Sequence, residues 1–340
     1  MSRPRHIGRR LGVLAAAVCA ACATEPTPEP ATFEYPLDDT LRVHHIQAVG
    51  THNSYHVQPA SDAVPDWNYT HAPLAEQLDL GVRQFELDIY RNLAEDGFDV
   101  LHAPVLDARS TCPDLGTCLG ELKDWSDSHP AHHPLMVLIE PKDSFDETEA
   151  EAVFDLLEGE ILASWPRERI VAPADVRRDT ESVAAGIAES GWPTLGETRG
   201  TAIFSLLDSR DHQRAYTHDR TSLEGRLMFA NAGPDDPFAG VILMDGPVGA
   251  EATIASVASR GILVRTRADA GPEDRDPEDR TRRDAALASG AHAMSTDMPA
   301  PIAEGGYFFS IPGGTPSRCN PVTAPPECTS EAIEDPEFMP

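Results

Sequence analysis

The sequence predicts an α/β fold, a (β/α)8 barrel of TIM type in a single domain, and three observations carry that expectation. Short apolar runs alternate with amphipathic stretches, 340 residues is a length such barrels reach as one domain, and polar residues gather at the C-terminal ends of the apolar runs. Strands alternating with helical patterns build βαβ units and a parallel sheet. Barrel active sites lie where the strands finish, whereas polar residues at the opposite end serve stability.

Residues 1–21 are set aside from the barrel. "MSRPRHIGRR" is cationic and "LGVLAAAVCAA" is an apolar run too short to span a bilayer, which together read as an export signal. The "CAAC" that ends at Cys22 resembles a bacterial lipobox, with Cys19 where Leu is usual, so Cys22 is the expected lipidation site. Residues 22–40 are Pro-rich without apolar periodicity and read as a semi-rigid tether. The expected product is exported and either held at the bacterial membrane by that lipid or secreted.

The barrel is expected over 41–310 and a Pro-rich tail over 311–340. The apolar runs, in order, are "VHHIQAVGTHN", "GVRQFELDIY", "FDVLHAP", "PLMVLIEPKD", "TAIFSLLD", "RLMFA", "GVILMD", "GILVRTRAD" and "AHAMSTD". That is one more than a barrel needs, and "RLMFA" or "GVILMD" reads as the extra. Cys112 and Cys118 close one short loop, and Cys319 and Cys328 close another in the tail. In an exported chain these are two local disulfides, and their spacing fits no CxxC zinc pattern.

The whole chain carries a net charge of −29; without the signal, 23 basic residues face 56 acidic ones, a charge of −33. A chain so acidic repels nucleic acid and anionic bilayers, and a monomer without nucleic-acid partners is expected. Lysine occurs only at 123 and 142.

Strand periodicity locates the chemistry. In "QFELDIY", Phe85, Leu87 and Ile89 alternate with Gln84, Glu86 and Asp88, so both acids share one face; Glu140 and Lys142 likewise share a face in "LIEPKD". Like charges directed into a barrel mouth need a cation or protonation. The strand-end set is His52, Asn53, Glu86, Asp88, His102 and Glu140. Its amide and three carboxylates are hard oxygen donors, suited to Ca²⁺ or, second, Mg²⁺, and not to zinc. Two histidines remain free of the metal, one to take a proton and one to give one at phosphorus.

At this point a family resemblance enters. "GTHNSYH", "GVRQFELDIY", "VLHAP" and "LIEPKD", in this order, resemble the catalytic half of the phosphatidylinositol-specific phospholipase C superfamily, specifically its secreted bacterial calcium-dependent branch. "LVRTRAD", "STDMP" and "SRCNPVTAPPEC" resemble that branch too, so the likeness runs from about 42 to 328. It implies a barrel with calcium at its mouth, bound by Asn53, Glu86, Asp88 and Glu140, with His52 and His102 as the catalytic pair. It also implies attack by the inositol 2-hydroxyl on phosphorus, releasing diacylglycerol and a cyclic inositol phosphate, with His102 protonating the leaving oxygen. His52 or a carboxylate is then the base. The implied substrate is a phospholipid or another inositol phosphodiester.

Lys142 is a point charge for phosphate or a partner of Glu140 or Asp143. Arg265 and Arg267 share a face and either clamp substrate or pair with surface acids. His44, His45, His56 and His292 read as packing or surface residues. Two other readings stand beside this one. A glycerophosphodiester phosphodiesterase or sphingomyelinase D shares the ExD strand, but the former's HRG is replaced here by "THN". A non-catalytic surface lipoprotein would keep the barrel for binding alone.

Overall fold

The computed structural model describes Met1 and residues 35–335, apart from 62, 146, 209, 210, 302–305, 314 and 315. The export signal, Cys22 and most of the tether therefore lie outside the described residues. Among the described residues no helix is long and apolar enough to cross a membrane.

The strands are β1 (Ile46–Thr51), β2 (Val82–Asn92), β3 (Gly97–Val100), β4 (Leu135–Pro141), β5 (Ala202–Leu206), β6 (Phe229–Ala230), β7 (Val241–Leu243), β8 (Leu263–Arg267), β9 (Ala293–Thr296) and β10 (Ser317–Cys319). Eight of them run parallel in the order β6-β5-β4-β2-β1-β9-β8-β7. The last gap is bridged by Asn231 against Val241, and Asn231 Oδ1 accepts the Leu243 amide at 3.0 Å where a longer ladder would have supplied a carbonyl. The result is a nearly closed α/β barrel, as the alternation of strand and helix patterns predicts.

One strand assignment is corrected. Both "RLMFA" and "GVILMD" contribute barrel strands, and the extra run is "FDVLHAP": β3 pairs antiparallel with β2, off the barrel. The reason is the connection. Only Leu93 to Asp96 separate β2 from β3, whereas a parallel return needs a crossover of about a dozen residues or more. His102 therefore leaves from a hairpin beside β2 and not from a barrel strand.

The helices that cover the barrel are amphipathic. In Leu115–Ser128, Leu115, Cys118, Leu119, Leu122 and Trp125 are buried at helical spacing, and Asp114 caps the start by accepting the Thr117 amide at 2.8 Å. The Cys112–Cys118 disulfide ties the first turn of this helix to the segment after His102, and Cys319–Cys328 closes the second loop.

The C-terminal segment is built into the opposite end of the barrel. β10 pairs antiparallel with the start of β1, and Glu334 lies fully buried against Arg83 of β2. Its carboxylate accepts Arg83 Nε at 2.9 Å and the His133 amide at 2.9 Å. Burial alone would raise the Glu334 pKa, but Arg83 and His133 outweigh it and hold it at about 2. Glu334→Gln should cost about 3–5 kcal/mol, because it strands Arg83 in the interior. The ion pair stabilises the fold above the ordinary Glu value of 4.5 and is lost as pH falls towards about 2. Denaturant titrations over that window should show the wild type losing more stability than the variant.

Candidate active site

The turn after β1 is bolted to β2. The Ser54 amide donates to the Glu86 carbonyl at 2.9 Å, and the Glu86 amide returns a bond to Ser54 Oγ at 2.8 Å. Thr51 Oγ1 donates to Gln77 at 2.8 Å, which fixes the same turn from below. Asn53 takes a left-handed φ of 45° there, a conformation Asn tolerates better than most residues. Asn53 is buried.

Asp88 and Glu140 are direct register partners on β2 and β4, and one oxygen each from Glu86, Asp88 and Glu140 lies within 4.8 Å of the others. Asp88 is fully buried, with Tyr55 and Lys142 as its polar neighbours. The nearest cation is Lys142 Nζ, 3.3 Å from Asp88 and 3.1 Å from Glu140. Burial, reinforced by the charges of Glu140 and Glu86, pushes the Asp88 carboxyl well above the usual range; burial also raises Glu140, against the pull of Lys142. For Lys142, burial lowers the ammonium's pKa but Asp88 and Glu140 carry the balance upward. Three clustered carboxylates, all hard oxygen donors, fit a divalent cation such as calcium.

Arg265 is one of the two arginines whose shared face suits either a substrate clamp or a salt bridge to acids. In the structure its side chain is 2 % exposed and its donors go to Glu86, to Asp245 at 2.7 Å and to Ser295 at 2.8 Å. It crosses the barrel interior from β8 to β2 and holds the Glu86 carboxylate in place. Arg267 is the more open of the two, 3.4 Å from His52 Nε2.

His52 and His102 are each held by an aspartate. His52 Nδ1 meets Asp297 Oδ1 at 2.9 Å, and Arg267 and Arg275 reach the other oxygen at 3.1 and 2.7 Å. Burial opposes ionisation of Asp297, but His52, Arg267 and Arg275 overcome it and hold its pKa far below normal. His102 Nδ1 meets Asp107 Oδ2 at 2.8 Å, and Trp67 packs edge-on with ring centres 5.3 Å apart. Burial lowers the His102 pKa, against the pull of Asp107. Each imidazole thus turns Nδ1 to a carboxylate, with side chains 23 % and 22 % exposed, and His52 Nε2 faces Arg267 and, at 3.8 Å, Glu86.

Asp107 and Asp297 were missed in the sequence. Asp297 ends the run "AHAMSTD", so the strand-end rule applied to the other acids finds it. Asp107 stands in a loop with no periodic signal.

The model of the calcium-dependent phosphoinositide phospholipase C family matches residues 41–96 and 91–321. The chain belongs to that family. It is a phosphodiesterase of the phospholipase C type, and its family acts on phosphoinositides. Among curated proteins no sequence matches. Among solved structures, a calcium-dependent phosphatidylinositol-specific phospholipase C from Streptomyces antibioticus is 20 % identical, with 76 % of this chain and 96 % of that one covered and a TM-score of 0.60. A calcium-dependent phosphoinositol-specific phospholipase C from a Pseudomonas species, apo form, is 18 % identical over 79 % of this chain and 95 % of that one, at a TM-score of 0.58. A myoinositol complex from the same Pseudomonas group is 17 % identical over 80 % and 95 %, at 0.57. At these identities the structures bear on the fold.

Proposed function

We propose that the chain cleaves phosphatidylinositol-like phosphodiesters to diacylglycerol and a cyclic inositol phosphate, with calcium held by Asn53, Glu86, Asp88 and Glu140. The observation that carries this reading is the carboxylate cluster of Glu86, Asp88 and Glu140 with Lys142 beside it, accompanied by two histidines that each turn Nδ1 to an aspartate. A bound calcium ion would supply positive charge to a substrate hydroxyl and to the phosphorus oxygens. His52, with Nδ1–H given to Asp297, takes the proton of the inositol 2-hydroxyl. His102, supported by Asp107, gives a proton to the diacylglycerol oxygen as the P–O bond breaks. Lys142 and Arg267 are the cations that meet the phosphate, and Arg265 positions Glu86. A hydroxyl on the atom next to the phosphoester benefits from an effective molarity of roughly 10⁵ M or more, so it outruns water.

Phosphorus NMR during turnover of phosphatidylinositol, with and without calcium, tests this directly. The first product should be the cyclic phosphodiester; an open monophosphate appearing first, or choline release from sphingomyelin with no inositol lipid turnover, would overturn it. The acidic barrel does not attract anionic lipid, which favours a covalent anchor, and we assign that to a lipidated Cys22 after export. Wild type should partition into detergent and Cys22→Ser should not; a soluble wild type with a free N-terminus near Ala23 would remove the anchor.

A further inference from the structure

We infer that His56, outside the set of strand-end residues, is a positioning residue for the general acid His102, acting through a proton held between His56 Nε2 and Asp107 Oδ2. The inference rests on the reading of His102 as the acid.

The hydrogens around His56 can be counted. The His56 ring is fully buried, and both its nitrogens face acceptors: Nδ1 lies 3.1 Å from the Tyr69 carbonyl oxygen and Nε2 lies 2.9 Å from Asp107 Oδ2. A carbonyl only accepts, so Nδ1 carries hydrogen. A neutral imidazole then has a bare lone pair on Nε2, and a bare lone pair against a carboxylate oxygen is repulsive. One further proton must lie between the two atoms, on either side. Turning the ring over would set carbon atoms against both acceptors, so the count does not depend on a choice of orientation.

Asp107 makes this proton matter. Its side chain is fully buried, Oδ1 has no partner, and Oδ2 faces both His56 and His102 Nδ1, the latter at 2.8 Å. The two rings lie edge to face with centres 6.4 Å apart. The carboxylate that supports His102 is therefore shared, its charge offset by the proton on the His56 side. Around His102 the other charged or titratable groups are Lys142, His52 and Tyr90; around His56 they are Tyr69, His71 and Asp297. Of these, Asp107 alone bonds both rings. Without His56, the whole charge of Asp107 would fall on His102, which would keep its proton more tightly and donate it less well. The His56 backbone is held separately, by its amide to the Asn53 carbonyl at 2.8 Å and by its carbonyl from the His71 amide at 2.9 Å.

The test compares wild type, His56→Leu and His56→Gln on phosphatidylinositol. His56→Leu should lower kcat about 10- to 100-fold with little change in KM, and should move the alkaline limb of the pH profile upward by about one unit. His56→Gln, which keeps a donor for Asp107, should recover most of the rate. Proton NMR of the wild type should show a slowly exchanging, far-downfield resonance that persists in His52→Ala. Wild-type kcat and pH profile in His56→Leu would overturn the inference alone, and a wild type that cleaves no inositol phosphodiester would overturn the site reading and this inference with it. If His56→Leu does not fold, absence of the downfield proton in the wild type is the overturning result.

Discussion

Asp88→Asn should lower turnover on phosphatidylinositol by on the order of 10³-fold and remove the rise in melting temperature that calcium gives the wild type. It should also leave the calcium-free protein as stable as the wild type or more so. The sign follows from the environment: Asp88 is buried beside Glu140 and Glu86, and burial and those charges raise its pKa against the pull of Lys142. A carboxyl whose folded pKa is raised costs stability as pH climbs above its unfolded value, which is 3.8. A neutral amide removes that cost and, with it, most of the attraction for a divalent cation. Calorimetry with and without calcium reads both effects on one sample. A variant that keeps the full calcium-induced shift would show that the ion sits elsewhere.

Removing either histidine should cost about 10² to 10⁴ in kcat while calcium binding survives. The two losses should be separable by the leaving group. An inositol phosphodiester of a nitrophenol leaves without needing a proton, so it should restore much of the rate to His102→Ala and little to His52→Ala. The pH profile of the wild type should be bell-shaped, and each variant should lose one limb. Equal recovery of both variants on the activated substrate would end the assignment of separate base and acid. Asp107→Asn should behave as a milder His102→Ala, because the acid stays but loses the carboxylate that His102 and His56 share and that fixes its Nδ1–H.

Much of the site was legible because strand periodicity is local. Glu86 and Asp88 alternate with apolar neighbours, and that alone sets them on one face whatever the rest of the chain does. Partners distant in sequence were not legible. The face of Arg265 suits either substrate or an acid, and only the structure names the acid, Glu86, 179 residues away across the barrel. Glu334 reads as tail, yet it closes on Arg83 at a separation of 251 residues.

Residue type and spacing were enough to decide the barrel class, the disulfide pairs and the oxygen-rich character of the strand ends, since each depends on neighbours within a few positions or on the order of elements along the chain. Closure decided the rest. It brought Asp297 to His52 from 245 residues away. It also set Lys142 between Asp88 and Glu140. Those outcomes depend on register between strands and on the low-dielectric interior that closure creates. A periodic pattern specifies which face a residue takes, and only packing specifies what it meets there.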